Sequence, residues 1–256
     1  MKFGCVVKPS ELDAISSSGF DYFEVNGKAI ASMDDATFEQ FRQSIEKCGL
    51  PCYGVNAYCP QDIVIAGPGA NLSEGIAYAE RLGRRLSHVG VKIVGIGAPL
   101  SRRLPPDYSL NDAEAQAVAF FRETGRVFAG YGILVCIEAL APVFCNFITD
   151  NQTAARLAAM VGLCNVLILV DYYSMELASQ ENEPFNSYFK WIKHVHMSDD
   201  DGSPYKRAFL NPEKAKTHRN RLKRLHDSGY CGNVTIETDI CFDEERARQS
   251  LAILKS

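Results

Sequence analysis

Residues Gly130–Asp171 read GYGILVCIEALAPVFCNFITDNQTAARLAAMVGLCNVLILVD, and this stretch decides the fold. It contains two short runs rich in Val, Ile and Leu, Leu134–Glu138 and Val166–Asp171. Runs of this length and character predict strands of a parallel sheet buried on both faces. Between them lies a helical pattern over Thr149–Val161, with Thr149 placed as the N-cap and Gly162 as the stop. Strand, helix, glycine and strand make one βαβ unit, and both of its strands end on a carboxylate, Glu138 and Asp171.

The same alternation runs outward in both directions. Further strands are predicted at Phe3–Val7, Tyr22–Val25, Cys52–Ala57, Lys92–Ile96, His194–Met197 and Val234–Glu237, giving eight in all. Helices are predicted at Pro9–Ser17, Asp35–Cys48, Leu72–Val89, Asp112–Ala129, Lys216–Ser228 and Asp243–Leu254. Those ending before Gly49, Gly90, Gly130 and Gly229 stop where helices usually stop. Eight such units favour closure into a (β/α)8 barrel over an open sheet. No GxGxxG follows the first strand, so the dinucleotide-binding alternative lacks its fingerprint. The chain has 256 residues, close to the roughly 250 typical of this barrel. No composition shift marks a linker, and one barrel domain is expected over residues 1–256. The stretches Cys59–Ala70 and Ala98–Tyr108 are expected as long loops over the barrel mouth.

A net charge of −4 argues against a dedicated nucleic-acid binder, which carries a basic stripe. The nine cysteines form no CxxC pair and read as small buried hydrophobes in a reducing compartment. The N-terminus lacks a leader-like apolar run, and no stretch approaches the roughly 20 apolar residues of a membrane span. A cytoplasmic location without a membrane or nucleic-acid partner is expected.

Four polar residues stand where a barrel strand is normally apolar. Glu138 closes ILVCIE, Asp171 closes VLILVD, His196 lies in HVHMSD and Glu237 closes VTIE. They fall on strands five to eight, whose C-terminal ends converge at the face where this fold collects its chemistry. Three carboxylates at one place would repel in a low dielectric, and a divalent cation removes that repulsion. Oxygen donors plus one imidazole suit Mn²⁺ first, with Mg²⁺, Co²⁺ or Zn²⁺ as alternatives. Asn56 and Tyr58, Arg102 and Arg103, and Lys206 and Arg207 follow strands three, four and seven and are candidates to hold substrate oxygens. Asp199 is the candidate partner that orients His196. His194 is expected to face the other side of its strand as a packed or hydrogen-bonded histidine. His88, His218 and His226 are expected on helix surfaces, and the basic residues of Lys214–Arg224 on a solvated helix face.

The motifs IEALAPVFCNFITD (137–150), LVDYYSM (169–175), IKHVHMSDDDG (192–202) and GYCGNVTIETD (229–239) resemble, in this order, the sugar isomerase/epimerase-like barrels of the xylose isomerase-like superfamily. That group includes ketose 3-epimerases, hydroxypyruvate isomerase, C-glycoside deglycosidase subunits and, more distantly, apurinic endonucleases. The resemblance implies Glu138, Asp171, His196 and Glu237 as metal ligands, with Glu138 and Glu237 also serving as acid and base. It implies a small carbohydrate substrate and proton abstraction next to a carbonyl through an enediolate, giving an isomerase or epimerase. A lyase on the same scaffold, a deglycosidase subunit or sugar-acid dehydratase acting on a 3-keto sugar derivative, is the alternative. An endonuclease needs a three-metal site with more histidines than the 5 present, and a non-catalytic barrel leaves the ligand set without a reason. Family barrels often pair, so a homo- or hetero-oligomer fits the resemblance. The chain carries Ala141, Phe144 and Ser174 where epimerases usually carry Asn, an acid, and His or Gln. The mouth near Ala141–Phe144 is therefore more apolar, which fits a bulkier or partly aromatic substrate.

Overall fold

The computed structural model describes residues 1–203 and 205–256. Its strands are β1 (Lys2–Val6), β2 (Tyr22–Asn26), β3 (Cys52–Asn56), β4 (Ile93–Ile96), β5 (Leu134–Glu138), β6 (Val166–Asp171), β7 (Ile192–Met197), β8 (Asp199–Asp200), β9 (Arg207–Ala208) and β10 (Asn233–Ile236). Eight of these close into a barrel in the order β1-β10-β7-β6-β5-β4-β3-β2, every neighbouring pair parallel. Each strand expected from the sequence is present, with bounds shifted by at most two residues. β8 and β9 form an antiparallel hairpin directly after β7, a feature the apolar pattern does not signal because both strands are two residues long.

Around the barrel run α1 (Leu12–Ser16), α2 (Gly27–Ser32), α3 (Asp35–Cys48), α4 (Leu72–His88), α5 (Leu110–Ala129), α6 (Asn151–Val161), α7 (Tyr172–Leu177), α8 (Ala215–Asp227) and α9 (Glu244–Lys255). α6 starts later than expected. Asp150, not Thr149, is its cap, accepting from the Thr153 N–H at 2.7 Å. α2 and α7 were not expected. In each, the last residue of the preceding strand caps the helix: Asn26 accepts from the Ala29 N–H and Asp171 from the Tyr173 N–H.

The helix layer absorbs several side chains assigned to other roles. Tyr58 is fully buried with its ring edge-on to Tyr78, Phe120 and Phe128. Ala57 takes a left-handed backbone (φ 44°), which ends the alternation of β3 and turns Tyr58 into the helices. His218, expected on the surface, is fully buried, with Nε2 2.7 Å from Asp199 Oδ2. The same oxygen accepts the Asn211 N–H at 2.7 Å, and Lys214 Nζ stands 3.2 Å from Oδ1. Asp199 therefore anchors α8 and does not orient His196, because it lies beyond the end of β7 and turns outward. Lys214 and Arg221 pair with Glu176, so this face of α8 is packed against α7, not simply solvated.

Burial raises Asp199, but the His218 hydrogen bond and charge, the Asn211 N–H and the Lys214 charge outweigh it and hold the carboxyl below its ordinary value of 3.8. A depressed native value stabilises the fold above the unfolded value, and the contribution is lost as pH falls through the native one. Asp199→Asn is expected to cost about 1–3 kcal/mol near neutral pH. It should also flatten the loss of stability below about pH 4. Thermal melts of both proteins across that range check it; parallel acid limbs would refute it.

Candidate metal centre

Asp171 on β6 is in register with His196 on β7, and His196 with Thr235 on β10, two residues before Glu237. Glu138 ends β5. Glu138, His196 and Glu237 each bring one ligand atom within 4.8 Å of the other two. All three residues are buried; Glu138 Oε1 and His196 Nδ1 have no hydrogen-bond partner, while Glu237 Oε2 is in ion-pair contact with Arg207. His196 Nδ1 and Glu237 Oε2 lie 3.3 Å apart, close but not aligned as donor and acceptor. Buried polar atoms without partners are costly and rare. Glu138, His196 and Glu237 together offer two carboxylate oxygens and one imidazole nitrogen, a donor set that fits a divalent cation.

Asp171 stands outside this trio. Its carboxylate caps α7 and accepts from Ser174 Oγ at 2.9 Å, while Oδ2 accepts from Arg207 Nη2 at 2.7 Å. Arg207 Nε lies 2.9 Å from Glu237 Oε2. The guanidinium thus bridges Asp171 and Glu237, with its carbon 5.2 Å from the Tyr173 ring centroid and 5.6 Å from that of Phe144.

The other face of His196 is held from below. His196 Nε2 is 3.2 Å from Glu24 Oε2 and His194 Nε2 is 2.6 Å from Glu24 Oε1, all fully buried. Thr235 also donates to Glu24, and the Tyr22 hydroxyl lies 2.8 Å from Thr235 Oγ1. His194 therefore shares the face of His196, their ring centroids 5.1 Å apart. The expectation of opposite faces fails because residues two apart on a strand point the same way. Glu24 is the residue that sequence reasoning missed. Its signal was a carboxylate inside the apolar run YFEVN, a residue type almost never fully buried unless paired.

Burial pushes the Glu138 carboxyl up to about 8, with the Glu237 and Asp171 charges adding to it. Burial also raises Glu237, but Arg207, His196 and the Asn56 hydrogen bond outweigh it and hold that carboxyl at about 2. Burial acts on Glu24 too, yet His194 and His196 bring it well below the carboxylate range. Positive charge is thus concentrated beside Glu237 and Glu24, and Glu138 is left short of it.

Glu138, Glu237 and Arg207 line a cavity of 820 Å³ whose wall also includes Asn56, Gly97, Phe144, exposed Lys8 and Lys28, and apolar Leu140 and Ile240. Asn56 Nδ2 donates to Glu237 Oε1 at 2.6 Å. Arg102 is fully buried and donates to the Glu138 carbonyl at 2.9 Å. It props the end of β5 and does not line the cavity. Arg103 donates to the Phe144 carbonyl, and Lys206 is exposed on the hairpin loop outside the cavity wall. A Cβ on Gly97 would overlap Glu138 Oε2, so only glycine lets that carboxylate lie as it does. Among the described residues, no helix is long and apolar enough to cross a membrane.

A closed parallel barrel with an acid–imidazole cluster at its C-terminal mouth is the layout of a TIM-barrel active site. The chain belongs to the xylose isomerase-like TIM barrel family, whose model matches residues 12–256. Among solved structures it is similar to D-psicose 3-epimerase in the presence of D-fructose, with 17% identity, TM-score 0.80 and 100% of both chains covered. It is similar to 3-keto-D-glucoside 4-epimerase from E. coli, with 25% identity, TM-score 0.75 and coverage of 100% of this chain and 99% of that one. It is also similar to AP endonuclease, family 2, from Brucella melitensis, with 15% identity, TM-score 0.74 and coverage of 98% and 97%. No curated protein is significantly similar to it in sequence.

Proposed function

We propose that this protein is a divalent-metal-dependent epimerase or isomerase of a keto sugar. The observation that carries this reading is the meeting of one buried ligand atom each from Glu138, His196 and Glu237, two of which line a cavity at the barrel mouth. These three residues would hold the cation, with Asp171 as the fourth ligand once its carboxylate is free of Arg207. Bound there, Mn²⁺ or a similar ion supplies stabilisation for the negative charge that proton loss places on the substrate oxygen.

The residues divide the remaining work. Asn56 donates to Glu237 Oε1 and so leaves Oε2 for the cation. Glu237 and Glu138 take and return the proton on the carbon next to the carbonyl, one from each side. Glu24 fixes the His196 ring through Nε2 and leaves Nδ1 as the ligand. The cavity volume of 820 Å³ lies high in the range of about 300–1,000 Å³ for small-molecule sites. With Leu140, Phe144 and Ile240 in its wall, it suits a sugar carrying a further group better than a free ketose. A 3-keto glycoside combines that size with an activated carbon–hydrogen bond, and the 25% identity to the 3-keto-D-glucoside 4-epimerase supports it.

The apolar wall also favours a second reading, elimination: the same proton is removed, its electron pair forms a double bond, and the glycosidic oxygen leaves with the aglycone. The test is incubation of the Mn²⁺-loaded protein with a 3-keto glucoside and with free ketoses in D₂O, followed by NMR. Deuterium entering an epimer of unchanged skeleton supports epimerisation, and release of the aglycone supports elimination. No exchange with any keto sugar, or a purified protein that binds no divalent ion, overturns the proposal.

Gly97→Ala tests the seat of Glu138. The added methyl displaces the carboxylate and is expected to weaken Mn²⁺ binding by about tenfold or more. Isothermal titration without substrate reads it, and unchanged affinity would exclude Glu138 from the ligand set.

A further inference from the structure

Arg207 reaches the metal centre from an element outside the barrel. Its backbone is fixed by hydrogen bonds in both directions with Asp239, at 2.8 and 3.0 Å, and by the pairing of β9 with β8. Its side chain extends over Glu237 Oε2 and Asp171 Oδ2, flanked by Phe144 and Tyr173. Glu237 belongs to the trio whose ligand atoms lie within 4.8 Å of one another. A dication bound at Glu237 Oε2 would lie within a few ångströms of a guanidinium that already touches it, and like charges so close in a buried site repel strongly. Asp171, meanwhile, is not among the three residues whose ligand atoms meet, and its Oδ2 faces Arg207.

We propose that Arg207 is the built-in counter-cation of the metal-free centre, and that it and the divalent ion exclude one another at Asp171 and Glu237. The inference rests on the metal-centre reading above. Without the ion, Arg207 neutralises two buried carboxylates and keeps the centre folded. On loading, its flexible side chain withdraws over the Phe144 ring into the cavity and releases Asp171 to the ion. Arg207 thereby sets the affinity of the site, because every binding event must displace it.

The test is Mn²⁺ affinity, measured by titration calorimetry without substrate, for wild type, Arg207→Met and Arg207→Lys. Arg207→Met is expected to bind Mn²⁺ at least about tenfold more tightly than wild type, since no cation has to leave. Its metal-free form should melt at a lower temperature than metal-free wild type. Arg207→Lys, a point charge without the fork, should fall between them. In the wild type itself, the Arg207 Nε–H signal, assigned by its loss in Arg207→Lys, should shift on titration with diamagnetic Mg²⁺. If wild type binds Mn²⁺ but Arg207→Met binds it no more tightly, or if that signal does not move with Mg²⁺, mutual exclusion is wrong and the metal centre stands. If neither protein binds a divalent ion, the metal-centre reading fails and this inference with it.

Discussion

Glu237→Gln is expected to lower turnover of the keto sugar by about 10²–10⁴-fold, the usual loss when a positioned base is removed. The substitution keeps the volume of the side chain but replaces one carboxylate oxygen by an amide NH₂. The oxygen has a natural place, accepting from Asn56 at 2.6 Å. The NH₂ must then face Arg207 Nε and His196 Nδ1, which lie 2.9 and 3.3 Å from the oxygen it replaces. The variant therefore loses the base and presents a donor to the Arg207 Nε–H. Two measurements separate its roles as base and as ligand. Calorimetry with Mn²⁺ should show weaker binding, and the rate at saturating Mn²⁺ should remain low. A rate that returns to the wild-type value once the site is filled would make Glu237 a ligand alone.

Glu24→Ala is expected to be the most destabilising single change near the site. It removes the shared partner of two fully buried imidazoles, His194 and His196, and of the Thr235 hydroxyl. Deleting one side of a buried ion pair typically costs about 3–5 kcal/mol, because the groups left behind keep their desolvation penalty. The His196 ring also loses the contact that sets its orientation, so Mn²⁺ affinity should fall by about 10–100-fold. Glu24→Gln keeps the shape and one acceptor, and should lose less stability than Glu24→Ala while still weakening the metal. Urea denaturation and calorimetry read the two effects independently. A Glu24→Ala protein within about 1 kcal/mol of wild type would show that the histidines do not depend on this carboxylate.

Glu138 and Gly97 illustrate a constraint that single-residue motifs hide. The carboxylate ends β5, but its Oε2 rests against the Cα of Gly97, just past the end of β4. A ligand is thus positioned by a neighbouring strand's missing side chain. Ala57 and Ala98, which follow β3 and β4 and line the cavity, both hold left-handed backbones (φ 44° and 43°). Strain of this kind collects where a site needs a fixed shape.

The sequence by itself determined the eight strands, their parallel sense and the four polar residues at the C-terminal ends of β5, β6, β7 and β10. These are local properties: an apolar run of four to six residues, a glycine after a helix and a charge closing a strand can each be read within one element. Only the tertiary structure decided which polar residues meet. Glu24 and His194 are partners across 170 residues of chain, Arg207 enters from a hairpin with no periodic signature, and Tyr58, Arg102 and Asp199 turn away from the site. Periodicity states which side of its own strand a residue takes. Its partner depends on the stagger of neighbouring strands as the barrel closes, and on backbone turns such as the one at Ala57, which only the closed and packed chain sets.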